Sequence, residues 1–149
     1  MSNPFSAHTP VSAPNSWPPS SRWFLCLGAV SACTSVVFSA AFAHLPVFAA
    51  GVPAAVQTAL NQQQFHALGL LFVGLALRVC GASRWLQVAG WLMLVGLVLF
   101  SFNLYARHVW GWDTLRALVP WGGAAWIVSW LALALGWAQV AQKSINRLE

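Results

Sequence analysis

The sequence predicts an all-α polytopic membrane protein, a bundle of four transmembrane helices. Hydrophobic residues make up 59% of the 149 residues and charged residues only 6%, whereas a soluble domain carries about 25% charged residues. Several apolar runs are long enough to cross roughly 30 Å of hydrocarbon at 1.5 Å per residue. A surface with so few charges would not stay soluble in water, so the lipid bilayer is the expected surrounding.

The predicted organisation has three parts. Residues 1–21 contain five prolines and are expected to be a disordered tail. Residues 22–142 form the membrane domain, with spans at about 23–43, 65–80, 85–106 and 118–140, and residues 143–149 form a short cytoplasmic tail. Between the first two spans, residues 54–64 place apolar and uncharged polar side chains on different helical faces, which predicts an interfacial helix at the membrane surface.

Two motifs in the first span raise the possibility of cleavage. Residues 41–43 resemble a signal-peptidase site, and residues 30–33 resemble a lipoprotein box. The apolar run is longer than the roughly 7–15 residues of a signal-peptide core, and its long flanking region holds a single basic residue. An uncleaved span is therefore the favoured interpretation.

The basic residues predict the orientation in the membrane. With four spans, five of them fall on the side of both termini and two on the other side: Arg22, Arg78, Arg84, Lys143 and Arg147 against Arg107 and Arg116. Because basic residues are enriched in cytoplasmic loops, both termini are expected in the cytoplasm, for a protein of a bacterial inner membrane. The formal net charge of +5 comes from scattered residues without a basic patch, so nucleic acid is not an expected partner.

The sequence gives little support for a disulfide bond or for a metal site made of cysteines. Cys26, Cys33 and Cys80 lie inside or at the ends of apolar runs, with no CxxC pair. They are expected to be small buried apolar residues rather than disulfide or metal-binding cysteines.

Polar side chains concentrate towards the non-cytoplasmic ends of the predicted spans, which marks the candidate site. The candidates are His44, Gln63, His66, Asn103, Tyr105 and Arg107. His44 and His66 could ligate a metal or a haem, relay protons, or hydrogen-bond a quinone-like head group. The favoured alternative is that both histidines tie loop backbone to helix ends. Arg107 is expected to pair with Asp113 rather than to hold an anionic head group.

Small residues predict close helix packing. Ser31, Ser35, Ser39 and Ala43 recur every fourth residue in the first span. Gly122 and Gly123 begin the fourth span. Side chains of this size let neighbouring helix backbones approach closely in a membrane.

Four short motifs appear in an order that resembles a known family. They are Ala43-His44, residues 63–68 (QQFHAL), residues 99–105 (LFSFNLY) and residues 120–123 (PWGG). Together they are similar to the YgdD/YwdK family of small membrane proteins, a domain of unknown function with four predicted spans. The resemblance covers roughly residues 23–140 and implies a fold and a membrane location, without an activity.

The leading functional expectation is a non-enzymatic accessory or structural protein that binds other membrane proteins or itself, without a cofactor. The chain has no nucleophile elbow, no His-Glu motif and no pair of carboxylates within the spans. The alternative is a ligand-, metal- or haem-binding protein associated with redox chemistry through His44 and His66. A small transporter acting as an oligomer is third, because no intramembrane acid or inverted repeat is visible.

Overall fold

The computed structural model describes residues 18–146, which are helical apart from short connections and contain no strand within that range. The long helices are α1 (Pro19–His44), α2 (Ala54–Cys80), α3 (Arg84–Gly96), α4 (Asn103–Trp110) and α5 (Val119–Ile145). A π-helical segment, Leu97–Phe102, joins α3 and α4 into one 27-residue rod, Arg84–Trp110. Within residues 18–146, four helices are long and apolar enough to cross a membrane: α1, α2, this rod and the stretch Arg116–Lys143.

The ends of the helices follow from local chemistry. Proline lacks an N–H and is tolerated in the first helical turn, so α1 can begin at Pro19. It stops after His44 because Leu45 precedes Pro46 and is held in an extended conformation. At the end of α4, Gly111 adopts a left-handed conformation and its N–H returns to the last turn.

The spans alternate in direction. The Ser21 hydroxyl donates to the Gly74 carbonyl at 2.8 Å, which brings the start of α1 beside the end of α2. Similarly, Gly136 near the end of α5 lies against Leu86 near the start of α3. The two ends of the described chain, the start of α1 and the end of α5, therefore share one end of the bundle with the α2–α3 loop, as the four-span prediction requires.

Helix α2 is the central element. It packs against α1 on one side and against the Arg84–Trp110 rod on the other, while α5 packs mainly on α3. One apolar core, which includes Phe24, Leu70, Leu86 and Met93, fills the end of the bundle that holds the termini. A second core, which includes Phe42, Val56 and Tyr105, fills the opposite end.

The predicted interfacial helix is not a separate element, which corrects the sequence-based boundary. Residues 54–64 form the first turns of α2, which is 27 residues and about 40 Å long at 1.5 Å per residue. Val56, Ala59 and Leu60 are buried, on the face that continues through Ala67 and Leu70. The uncharged polar face of this stretch lies outside the bundle, and a short 3₁₀ turn, Pro46–Phe48, connects α1 to α2.

Two further expectations need adjustment. Helix α1 begins inside the predicted tail, and α5 runs into the predicted C-terminal tail as far as Ile145. The rest of both tails, residues 1–17 and 147–149, lies outside the described residues. Cys26 and Cys33 are exposed on α1 rather than buried, because the helix turns them away from α2; Cys80 is half-buried.

Gly122 and its neighbour Gly123 provide a matched test of the packing. A Cβ atom at Gly122 would come within 2.7 Å of the Phe100 backbone nitrogen, whereas one at Gly123 would meet nothing within 4 Å. We expect Gly122→Ala to lower the free energy of unfolding by about 1–3 kcal/mol, because backbone cannot move aside easily. Gly123→Ala should change it by less than about 1 kcal/mol. Detergent-titration unfolding of both variants checks this, and equal effects would contradict the close approach of α5 to the π-helical segment.

Candidate functional site

Gln63 lies at the centre of the polar contacts between spans. Its side chain is fully buried, and its Nε2 donates to the Ser31 carbonyl at 2.9 Å and to Thr34 Oγ1 at 3.0 Å on α1. Its Oε1 accepts a hydrogen bond from the Tyr105 hydroxyl on α4 at 2.9 Å. These four residues, here called the Gln63 cluster, join three of the four spans.

Aromatic rings enclose the Tyr105 end of this cluster. Phe38 and Phe42 on α1 place their ring centroids 5.4 and 5.1 Å from the Tyr105 ring. Phe102 contributes an edge contact at 6.1 Å. The Tyr105 hydroxyl therefore meets Gln63 in an apolar surrounding, where a polar group without a partner would be costly.

The π-helical segment brings its own polar contact to α2. Ser101 is fully buried and donates from its hydroxyl to the Ala59 carbonyl at 2.9 Å. A π-helical turn adds a residue to the turn and so rotates the side chains that follow it. This change of phase precedes Tyr105, which faces α2 in the next turn.

His66 is a buried histidine whose two ring nitrogens both have hydrogen-bond partners. Its side chain is buried, its Nδ1 lies 2.9 Å from the Gln62 carbonyl, and its Nε2 lies 3.2 Å from the Trp130 indole N–H. An indole nitrogen can only donate, so Nε2 accepts and Nδ1 carries the proton. The imidazole also stacks on Trp126, with centroids 3.9 Å apart and planes 6° apart. Neither ring nitrogen is left to ligate a metal or a haem in this arrangement.

His44 does not join His66. It is exposed at the end of α1, whereas the register of the two helices places His66 level with about Gly28, which lies against Ala67. His44 is about 16 residues further along α1, roughly 24 Å away at 1.5 Å per residue. The expectation that both histidines lie at one depth is wrong, because α2 begins at Ala54, eleven residues before the predicted start at residue 65, or about three helical turns. Among the described residues, no group of three or more metal-binding side chains occurs.

Asn103 and Arg107 stabilise the loop between the third and fourth spans. Asn103 is buried and donates from Nδ2 to the Leu115 carbonyl at 2.6 Å. Arg107 Nε pairs with Asp113 at 2.8 Å, with Asp113 largely exposed. The structure therefore contains the pairing that the sequence favoured for Arg107, and both side chains serve the loop rather than a shared cavity.

The small residues divide into two groups. Ser31 and Ser35 are buried on the face of α1 that meets α2, whereas Ser39 and Ala43 are exposed. The 100° step of an α-helix turns residues four apart by about 40°, so a stripe of spacing four drifts away from a straight neighbour. The Ser31 hydroxyl is buried without a hydrogen-bond partner among the described residues.

A groove of about 300 Å³ opens beside His66 on the outer surface between α2 and α5. Its lining includes Gln62, Phe65, His66, Gly123, Trp126 and Trp130. Trp126 and Trp130 were not among the predicted site residues, although two tryptophans four apart within a span share a helix face and could have signalled it. Trp126 also donates from its indole to the Met93 carbonyl at 3.1 Å, which links α5 to α3.

Substitutions at Gln63 and at its neighbour Gln64 distinguish the stability that the cluster contributes from any effect of losing a polar side chain. Gln63→Leu removes the bonds to α1 and leaves the Tyr105 hydroxyl without its acceptor. We expect the free energy of unfolding to fall by about 1–3 kcal/mol. Gln64 is exposed, so Gln64→Leu should leave stability nearly unchanged. Unfolding of the purified variants in detergent measures the difference. A Gln63→Leu protein as stable as the wild type would show that the cluster does not stabilise the fold.

The comparisons with known proteins agree with this architecture. Residues 38–123 match the model of a family described as "Protein of unknown function (DUF423)". The UPF0382 membrane protein YwdK of Bacillus subtilis is 36% identical over 121 residues, covering 75% of this chain and 93% of the relative. A UPF0382 membrane protein of Haemophilus influenzae is 33% identical, covering 76% and 91%.

The UPF0382 inner membrane protein YgdD of Escherichia coli is 27% identical, covering 85% of this chain and 97% of the relative. No solved structure matches. The matched segment runs from the second half of α1 to the start of α5 and contains the π-helical segment. The chain is thus a four-span membrane protein that belongs to the DUF423 family, whose relatives carry the name UPF0382.

Proposed function

We propose that this protein is a non-enzymatic accessory or structural component of the membrane, which acts through helix–helix contacts made by the outward face of α1. The observation that carries the proposal is the contrast between the hydrogen-bonded polar side chains of the interior and the exposed apolar pattern of that face. Gln63, His66 and Tyr105 at the centre of the bundle have hydrogen-bond partners within it. The outward face of α1 has the pattern of a helix-packing seam instead.

The main polar side chains of the described interior are held in hydrogen bonds rather than directed at a substrate. Gln63 uses both ends of its amide, Tyr105 donates to it, and both nitrogens of His66 have partners. A general acid or base, or a metal ligand, needs a lone pair or a proton directed at a substrate. Using any of these groups would first require breaking bonds that hold the spans together, so they support a structural role.

The outward face of α1 repeats every seven residues. Cys26, Cys33 and Ala40 are small, exposed and seven apart, and Val30 and Val37 between them are 58% and 57% exposed. Apolar residues at spacings of three and four form the seam of two helices that pack side by side. Small side chains in such a seam permit close backbone approach within a membrane.

Helix α1 is also the least buried of the four candidate spans in the described part of the chain. In the apolar stretch of α1, 22% of the residues are buried, against 50% in α2. A seam with a seven-residue period is complementary to itself across a two-fold axis, so a second copy of the chain is the occupant we propose. Two copies inserted in the same direction would place each Cys33 beside its counterpart.

Native cysteines test this contact directly. In a chain that keeps Cys33 and carries Cys26→Ser and Cys80→Ser, we expect mild oxidation of membranes to give a disulfide-linked dimer. A chain that keeps only Cys80 is the control, because Cys80 is the last residue of α2 and not part of the α1 seam, and it should stay monomeric on a non-reducing gel. Ala40→Phe should abolish the Cys33 dimer, while Ala124→Phe on the exposed face of α5 should not. A heavier Cys33 adduct would identify another membrane protein as the occupant, and no adduct would contradict the seam.

The orientation is proposed separately, with both termini in the cytoplasm. Arg22, Arg78, Arg84 and Lys143 lie at the end of the bundle that holds the termini, whereas Arg107 and Arg116 lie at the other end. This asymmetry supports a cytoplasmic location of the termini.

Reporter fusions check the orientation. A fluorescent protein fused after Glu149 should fluoresce, because it folds in the cytoplasm, and alkaline phosphatase inserted at Thr114 should be active. Alkaline phosphatase in the α2–α3 loop at Ala82 is the control and should be inactive. The opposite pattern of activities would invert the topology.

A further inference from the structure

Helix α2 presents a row of uncharged polar side chains to the outside of the bundle. Gln57, Asn61 and Gln64 are exposed and share one helix face, at spacings of four and three residues. The same face continues with Leu68 and Leu75, which are 62% and 52% exposed. These five residues, here called the amide face, carry no charge.

The contacts of α2 place Gln64 near half the height of the bundle. Its neighbour Gln63 bonds to the carbonyl of Ser31, which lies halfway along α1. Two residues further along α2, His66 accepts a hydrogen bond from Trp130, which lies halfway along the fourth candidate span. Two neighbouring helices therefore assign the same height to Gln64.

The cationic side chains towards the two ends of the bundle agree with this height. On α1, Arg22 is nine residues before Ser31, or about 14 Å at 1.5 Å per residue. In the other direction, Ser101 bonds to the α2 carbonyl five residues before Gln64, and Arg107 is six residues beyond Ser101, which together give about 16 Å. The hydrocarbon layer of a bilayer is roughly 30 Å thick, so Gln64 lies near its centre.

Amides at this depth need partners that lipid does not supply. The Gln64 amide has no hydrogen-bond partner among the described residues. Gln57 Nε2 donates to Asn61 Oδ1 at 3.2 Å, which uses the acceptor of Asn61 and leaves its Nδ2 donors to other partners. Lipid tails neither donate nor accept hydrogen bonds, and an unsatisfied polar group in hydrocarbon is costly. The amide face therefore needs a partner that both donates and accepts.

We propose that the amide face binds the amide face of a second copy of the chain. An amide has both donors and an acceptor, so two facing amides satisfy each other. A two-fold axis along the membrane normal brings each residue opposite its counterpart at equal depth, with Gln64 facing Gln64. Because the face is uncharged, it is complementary to itself and not to a charged partner. Spacings of four and three residues are those of two helices that pack side by side.

This contact is independent of the one proposed for α1. The amide face belongs to α2, whereas the seam with Cys33 belongs to the outward face of α1, so either contact can fail while the other holds. A copy that makes both contacts has two neighbours, and the copies then form rows rather than closed pairs.

The test is disulfide cross-linking in membranes at Leu68, one turn from Gln64. The chain carries Leu68→Cys, and Ala40→Phe blocks the α1 contact, so that an adduct reports on α2 alone. The native cysteines are replaced as Cys26→Ser, Cys33→Ser and Cys80→Ser. A matched chain carries Leu131→Cys instead of Leu68→Cys. Leu131 is also 62% exposed and lies next to Trp130, at the same depth on α5, so it measures random collisions.

We expect oxidation with copper phenanthroline to give a dimer from the Leu68→Cys chain on a non-reducing gel, and none from the Leu131→Cys chain. Adding Gln64→Leu should lower the dimer yield roughly fivefold, because the hydrogen bonds between the helices are lost. Gln64→Asn retains an amide and should retain most of the dimer. Thr58→Val is the polar control and should leave the yield unchanged, because the exposed Thr58 hydroxyl donates within its own helix.

The remaining outcomes overturn the proposal. A heavier adduct of the Leu68→Cys chain with another protein would replace the second copy as the occupant. Absence of any dimer, an equal dimer from the Leu131→Cys chain, or an undiminished yield with Gln64→Leu would contradict the paired amides. Unfolding in detergent accompanies the gels, since a Gln64→Leu chain as stable as its parent shows that a lost dimer reflects association rather than folding.

Discussion

The buried amide of Gln63 sets the main constraint on this bundle. Inside a bilayer no water is present to satisfy a polar group, so each buried donor and acceptor needs a partner within the protein. Gln63 finds its partners on α1 and α4, and the relative heights of three spans follow from those contacts. His66 and Trp126 fix the fourth span in a related way, through a stacked ring pair and two indole hydrogen bonds.

Close helix–helix contacts at small residues stabilise the bundle in addition to these hydrogen bonds. Gly74 lies against Leu25, and Gly96 lies against the indole of Trp126. Lipid tails are as apolar as leucine, so burying apolar surface alone gives membrane helices little reason to associate. Shape and hydrogen bonding therefore carry more of the packing here than they would in a soluble bundle.

The long apolar runs were sufficient to predict the number of spans, their order and their alternating direction. They did not predict that residues 54–64 belong to α2, because an uncharged amphipathic stretch has the same pattern whether it lies on a membrane or begins a long helix. The error displaced His66 relative to His44 and created the expectation of a shared histidine site. Trp126 was missed although its spacing of four from Trp130 indicates a shared helix face, because that spacing does not show whether the face meets lipid or an imidazole.

The position of Gln63 has a consequence for how the chain is assembled in the membrane. The first two spans leave the ribosome before the third, so Gln63 can bond to Ser31 and Thr34 while Tyr105 has yet to be synthesised. Until Tyr105 arrives, the Oε1 atom of Gln63 has no protein donor from the third span. The hairpin of α1 and α2 therefore exposes one unpaired acceptor to the next segment. Pairing of this acceptor with the Tyr105 hydroxyl favours packing of the third span on that side of α2.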